Sequence, residues 1–313
     1  MPPTSDRFGL GCWSFGGGYW LDQDRQDSIR TIHAALRAGI RHFDTAQSYG
    51  NGSSEQITGQ QLRRFSPTIT RRDLTLATKI LLPPSPAQLK PLVELSLRRL
   101  CTDYLDILYV HWPDSAKNHR PYFSELQRLL ETGLVRALGV SNFTPELLTE
   151  VLSYAPINYC QMPVSLLWPR SLARLGQICR DHTIAIIAYS PLGMGLLSGK
   201  YPKAEAFKPQ DRRRTLFPFQ ERYASRYHQL LQVLEREAEM LKTTASAVAL
   251  AWAASQGVSL VLLGARSRPQ LEEDLRATEL TLPDSTMQKL QEVSQALDAL
   301  IPDSEDNPFF HRW

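Results

Sequence analysis

The chain has 313 residues, 42% of them hydrophobic and 21% charged, with a formal net charge of +3. So small a charge excess does not argue for nucleic acid or a membrane surface as partner, and the length exceeds an ordinary single core unless the fold is one of the large α/β barrels. Cys12, Cys101, Cys160 and Cys179 form no C-x-x-C pair and read as reduced thiols of a cytoplasmic protein; the start lacks a signal-peptide pattern, and no apolar run reaches the roughly 18 residues of a membrane span.

Residues 8–13 (FGLGCW) read as a short apolar strand, followed by Gly16, Gly17 and Gly18 and the aromatics Tyr19 and Trp20. Such a loop suits a pocket wall or a cap on the core. The run from Gly9 lacks the third glycine of a dinucleotide fingerprint and the acid that should follow it. Residues 24–38 carry Ile29, Ile32, Ala35 and Leu36 at helical spacing, and Gly39 closes that helix. Residues 40–44 form a buried strand ending in Asp44, with a turn and then Tyr49 beyond it. Further helices are expected from about 53 to 62 and over 86–100, with strands at 73–80, ending in Lys79, and 104–110, running into His111 and Trp112. A helix at 122–131 and a strand at 135–140 lead to Ser141, Asn142 and Phe143. Thr144 and Pro145 then start a helix with a good N-terminus.

Strands at 158–162, containing Gln161, and 183–188, ending at Tyr189, flank a helix at 170–180. Residues 200–220 read as a long loop, with Arg212, Arg213 and Arg214 either solvated or phosphate-facing. Helices at 222–241 and 245–254, a strand at 259–263 and helices at 269–277 and 284–297 complete the chain. The strands are continuously apolar, as parallel strands covered on both faces are. Polar residues recur just past strand ends, at Asp44, Lys79, His111, Ser141, Gln161, Tyr189 and Gly264. One such residue per strand end predicts a single-domain (β/α)8 TIM barrel over residues 1–313, with extra helices and a long loop after the seventh strand and the site at the strands' C-terminal face.

A phenol is a weak acid, with a pKa of roughly 10 unperturbed. It donates usefully near neutral pH if a cation lies beside it. Lys79, one strand on from Tyr49, supplies that cation, and Asp44 holds the ammonium. His111 can hydrogen-bond a carbonyl oxygen placed between it and Tyr49. The set contains no Ser/His/Asp or Cys/His nucleophile and no metal spacing such as HExxH. A site that protonates a carbonyl oxygen without a nucleophile needs an electron donor, which suggests a bound hydride cofactor. Tyr189 could stack on its nicotinamide, and Ser141, Asn142 and Gln161 could hold the carboxamide. The stretch SPLGMGLLSGK (190–200) could approach a pyrophosphate, and Arg266 a ribose 2′-phosphate.

In FDTAQSYG (43–50), TK (78–79), VHWPD (110–114), GVSNF (139–143), YSPLGMGLLSGK (189–200) and GARSRPQLEED (264–274), the chain resembles the aldo-keto reductases along nearly its whole length. The GCWSFGG and VHWPD wording is similar to the branch of bacterial inositol-utilisation reductases, general stress reductases and potassium-channel β subunits. The resemblance implies a catalytic tetrad of Asp44, Tyr49, Lys79 and His111, with Tyr49 as general acid, and NADPH bound without a Rossmann domain. It also implies cofactor contacts from Cys12, Trp13, Asp44, Ser141, Asn142 and Gln161. Tyr189, Ser190, Pro191, Leu192, Gly193 and Lys200 continue the track, and Gly264, Arg266, Gln270, Glu273 and Asp274 close it at the adenosine end. Asp274 departs from the asparagine often found in the family, and Leu263 from a proline.

The expected activity is NADPH-dependent reduction of a small-molecule aldehyde or ketone, with Trp13, Tyr19, Trp20, Tyr49, His111 and Trp112 against the substrate. These aromatics lean towards an apolar or flat compound. An NADPH-binding regulatory or channel-associated subunit with little turnover is the alternative, against which the complete tetrad argues. A barrel glycosidase needs two strand-end carboxylates; Asp44 and Asp114 exist, but Lys79 would neutralise one. The tail aromatics Phe309, Phe310 and Trp313 are candidates to fold over the mouth or to fray, and no signal for an oligomeric state is present.

Overall fold

Among the described residues, eight parallel strands pair in sequence order and close on themselves through the first and last. They are β1 (Phe8–Gly11), β2 (His42–Asp44), β3 (Thr75–Ile80), β4 (Ile107–Val110), β5 (Leu138–Ser141), β6 (Tyr159–Pro163), β7 (Ala185–Tyr189) and β8 (Leu260–Leu263). The computed structural model describes residues 4–65 and 69–302, so Phe309, Phe310 and Trp313 lie outside the described residues. Around the barrel run α1 (Arg25–Arg37), α2 (Ser53–Arg64), α3 (Leu89–Leu100), α4 (Arg120–Glu131), α5 (Pro145–Leu152) and α6 (Arg170–Asp181). Then α7 (Glu221–Met240) and α8 (Ala245–Ser255) precede β8, and α9 (Arg268–Asp274) and α10 (Asp284–Asp298) follow it. The expected (β/α)8 barrel, with its extra helices after the seventh strand, is thus observed. No helix among the described residues is long and apolar enough to cross a membrane.

Every residue of β4, β5 and β8 is buried, because both faces of the sheet are covered. Side chains alternate along each strand. One set faces the helices. The other fills the barrel with Ala77, Ile107, Tyr109, Ile187, Leu260 and Leu262. Gly139 faces inward beside Tyr109, where a Cβ would collide with the phenol ring. This apolar plug is the floor on which the next inward layer, Asp44, Lys79 and Gln161, stands. Helix α8 is apolar all round (ASAVALAWAAS) and is buried from Ser246 to Ala254, as such a helix must be.

Several boundaries differ from the sequence reading. β1 stops at Gly11, and Trp13 lies in a short 3-10 turn, Trp13–Gly16. β7 begins at Ala185 because Thr183 is left-handed at φ 55°. The Thr144 side chain caps α5 by accepting from the Leu147 amide. Residues 200–220 are not an open loop. They form 3-10 turns at Ala204–Ala206, Arg212–Thr215 and Phe217–Phe219, with Phe207, Leu216 and Phe217 buried. Arg213 is not solvated: it is 5% exposed, paired with Asp211 at 2.7 Å, and lies over the Phe207 ring at 4.4 Å.

Candidate active site

Asp44 ends β2, and Lys79 lies next to last in β3, on the inward face. The Lys79 ammonium pairs with Asp44 Oδ1, donates to the Thr45 carbonyl at 2.9 Å, and reaches the Tyr49 hydroxyl at 3.4 Å. Its three donors therefore have three partners. Asp44 Oδ2 accepts from Gln161 Nε2 at 2.8 Å, so the carboxylate is held from β3 and β6 at once. Lys79 is 1% exposed and Asp44 3%; in so dry a place neither charge stands without the other. Thr45 is fixed in turn, its hydroxyl bonding Ser54 Oγ at 2.8 Å.

Burial works against the Lys79 ammonium, but the charge of Asp44 and the oxygen of Tyr49 outweigh it and lift the pKa above its usual value, so the cation persists at neutral pH. Burial also acts on Tyr49, raising its pKa above 10; Lys79 pulls it down and Asp44 pushes it up. The expectation that the ammonium makes the free-site phenol more acidic is therefore met only as one contribution, and the net shift is upward. Tyr49 stays protonated across the physiological range, which is the state a proton donor needs.

His111 follows β4 and meets the Tyr49 ring edge-on, with centroids 5.7 Å apart and planes at 81°. Burial, then the nearby Lys79 charge, holds its pKa well below 6.5, so the imidazole is neutral. Ser48 Oγ lies 3.4 Å from Nδ1; with that hydroxyl as donor, the ring proton sits on Nε2. A neutral imidazole beside an un-ionised phenol offers two hydrogen-bond donors to one oxygen.

These groups open into a cavity of about 1490 Å³ across the barrel mouth. Trp13, Tyr19 and Trp20 form one wall, with centroids 5.0, 5.0 and 5.6 Å apart, and Trp13 stands 6.1 Å from Tyr49. Trp112, 6.5 Å from His111, also lines it, as does Leu81, which is 52% exposed. Arg213 stacks over Trp20 at 5.0 Å and Arg212 over Tyr19 at 5.8 Å, so residues 200–220 strap the first loop in place.

The expected cofactor track is mostly on this surface. Ser141, Asn142, Gln161 and Tyr189 line its middle, and Ser190, Pro191 and Leu192 its next stretch. Tyr189 donates to Asn142 Oδ1 at 2.6 Å, and Asn142 Nδ2 donates to the His111 carbonyl at 3.0 Å. Gln161 lines the cavity while its Nε2 donates to Asp44, so it belongs to the network around the carboxylate as well. Lys200, Gly264, Arg266, Gln270, Glu273 and Asp274 line the far end. Two expected contacts lie off the surface. The Cys12 thiol points away from the mouth and donates to the Leu10 carbonyl at 3.6 Å, its pKa pushed up to about 12, chiefly by burial. Gly193 is buried against Leu167.

Arg266 donates to the Leu21 carbonyl and to Gln23 Oε1 at 3.2 Å, so its guanidinium already braces the first loop. Asp274 is 6% exposed and has no hydrogen-bond donor among the described residues. Burial, then the Glu273 charge, with Lys200 opposing, raises its carboxyl to about 7. A buried carboxyl without a partner in the cavity wall fits a ligand that brings its own donor. With the glycine-rich turn at 190–200, where Ser190, Gly193, Met194 and Gly195 all have positive φ, this end fits an elongated dinucleotide.

The sequence reading missed Ser48, Leu81 and the Arg213 clamp. Asp211, two residues before Arg213, was the available signal for an internal ion pair.

A profile of the aldo/keto reductase family matches residues 7–295. Aldo-keto reductase YhdN of Bacillus subtilis (strain 168) is 33% identical over 292 residues, covering 89% of this chain and 86% of that protein. NADH-specific methylglyoxal reductase of Escherichia coli (strain K12) is 30% identical over 324 residues, covering 94% and 96%. Among solved structures, the glycerol dehydrogenase AKR11B4 from Gluconobacter oxydans superposes with a TM-score of 0.83 at 31% identity, covering 98% of this chain and 95% of that one.

Proposed function

The chain belongs to the aldo/keto reductase family and is an NAD(P)H-dependent oxidoreductase acting on carbonyl compounds; from that premise we propose that Tyr49 is its proton donor and NADPH its preferred cofactor. The observation that carries this is the buried Asp44–Lys79–Tyr49 chain, with neutral His111 edge-on to the phenol. As negative charge develops on the carbonyl oxygen, Tyr49 hands over its hydroxyl proton. The Lys79 ammonium stabilises the phenolate left behind, and Asp44 keeps that ammonium in place. His111 orients the oxygen by a hydrogen bond and, being neutral, leaves proton supply to Tyr49.

The nicotinamide cofactor, when bound, supplies the hydride. Ser141, Asn142, Gln161 and Tyr189 would hold its nicotinamide end, Ser190, Pro191 and Leu192 the centre, and Gln270, Glu273 and Asp274 the adenosine. Preference for NADPH rests on the two cations of that end, Arg266 and Lys200. Arg266 must then serve the 2′-phosphate while bracing the first loop. The relative named NADH-specific marks the competing outcome. The substrate is a small carbonyl compound, apolar or flat, held between Trp13, Tyr19, Trp20 and Trp112. With its four free thiols, the enzyme would work in the cytoplasm.

The test is oxidation of NADPH and of NADH against a panel of aldehydes, ketones and quinones. Turnover with several carbonyls, favouring NADPH in kcat/KM, supports the reading. No turnover with any of them, together with tight NADPH binding, contradicts the enzymatic part, and equal kcat/KM for the two cofactors contradicts the preference.

A further inference from the structure

The segment that carries Tyr49 is an improbable one. Gly50, Asn51 and Gly52 follow it with φ of 57°, 53° and 91°, three left-handed residues in succession. Such a run is loose or strained unless its surroundings over-determine it. Two contacts do so. In front, Gly16 of the first loop lies against the backbone of Tyr49 and Gly50, so closely that a Cβ on either Gly16 or Gly50 would strike the other strand of chain. Behind, the guanidinium of Arg99, from α3, lies where a Cβ of Gly52 would be.

Arg99 is held there by Glu55, at 3.2 Å from Oε2. Glu55 is 0% exposed. Its other oxygen accepts from Thr78 Oγ1 and Ser96 Oγ, both at 2.7 Å. Ser96 also accepts from Gln47 at 2.8 Å. Thr78 is the residue before Lys79, and Glu55 lies in the first turn of the helix that Tyr49's turn leads into. One buried carboxylate therefore ties the strand that bears the ammonium to the turn that bears the phenol. A buried ion pair is a poor way merely to glue two helices, since apolar residues of like volume do so at no desolvation cost.

We propose that Glu55 and Arg99 are positioning residues: their ion pair sets the Tyr49 turn in register with Lys79, and so sets the efficiency of proton donation. The inference rests on Tyr49 being the donor. Glu55→Gln keeps the acceptor for Thr78 and Ser96 but removes the charge that holds Arg99. Arg99→Met, at a side chain 21% exposed, removes the clamp but leaves the Glu55 carboxylate without its counter-charge. Its folded state is therefore checked by urea unfolding, and Glu55→Gln, which strands no carboxylate, carries the test should Arg99→Met fail to fold.

In both variants kcat is expected to fall between about tenfold and a hundredfold, the scale of a small misplacement of a reacting group. KM and the cofactor Kd should stay near the parent values, and the alkaline limb of the kcat–pH profile should move upward as the phenol loses the nearby ammonium. Because the two residues act as one unit, the double variant should lose little beyond either single. Parent-like kcat and pH profile in a folded Arg99→Met overturn the proposal. So does an equal loss of cofactor affinity and kcat, which signals general damage. Tyr49→Phe, run alongside, separates the two failures. If it is inactive while Glu55→Gln and Arg99→Met are parent-like, only the positioning role falls; if it retains turnover, the donor assignment falls first.

Discussion

Replacing Lys79 by Met tests the electrostatic core of the site. The ammonium stands 3.4 Å from the Tyr49 hydroxyl. At an effective dielectric constant of about 20, a unit charge at that distance stabilises the phenolate by about 5 kcal/mol. Asp44 lies against the same ammonium and opposes part of this. If about half survives, the rate of proton donation falls by about two powers of ten, at the lower end of what general acids contribute. Stability falls as well: Asp44 keeps Gln161 but loses its counter-charge, and stranding a buried carboxylate costs about 3–5 kcal/mol. The assay is kcat against pH at saturating cofactor, with urea unfolding in parallel. The expected result is a folded protein with a urea midpoint well below the parent's, a kcat about a hundredfold down, and an alkaline limb shifted to higher pH, because the pull of Lys79 on Tyr49 is downward. A variant with parent kcat and an unmoved limb would refute the reasoning.

Two predictions concern pH and stability. Burial holds His42 at about 4, against roughly 6.5 in the unfolded chain. As pH falls from 6.5 towards 4 the unfolded chain takes up a proton that the folded one refuses. The parent should therefore lose stability relative to His42→Gln by up to about 3 kcal/mol across that window, read as diverging urea midpoints; parallel midpoints would contradict it. Asp274 has the opposite sign. Its folded carboxyl is raised to about 7, so the fold favours the protonated form, and stability drops as pH rises from about 4 to 7. Asp274→Asn should be more stable than the parent at pH 8, by up to about 4 kcal/mol, with the gain vanishing near pH 4. A gain of the same size at both pH values would indicate another cause.

The barrel was legible because strand-end polar residues recur at the spacing of one strand–helix unit, and because the inward face can be counted by twos. The Asp44–Lys79–Tyr49 contact followed from the adjacency of β2 and β3. The same parity places the Cys12 side chain: Gly11 faces inward, so the next side chain turns towards the helices. Residues 200–220 were opaque because their order comes from distant partners. Arg213 is folded in by Trp20, nearly two hundred residues earlier, and by Phe207. The direction of the Tyr49 shift was also hidden. Sequence names the charges around a phenol but not how much water is excluded from it, and here burial outweighs Lys79. The Glu55–Arg99 pair gave no local sign either, since it joins two helices through a contact spanning 44 positions.

The most direct test is Tyr49→Phe, which removes one oxygen from the site and leaves the cavity shape intact. NADPH affinity by fluorescence titration and carbonyl turnover should be measured on the same preparation. Proton donation from residue 49 predicts unchanged affinity with turnover reduced to background; near-parental turnover at full occupancy of the cofactor would contradict it.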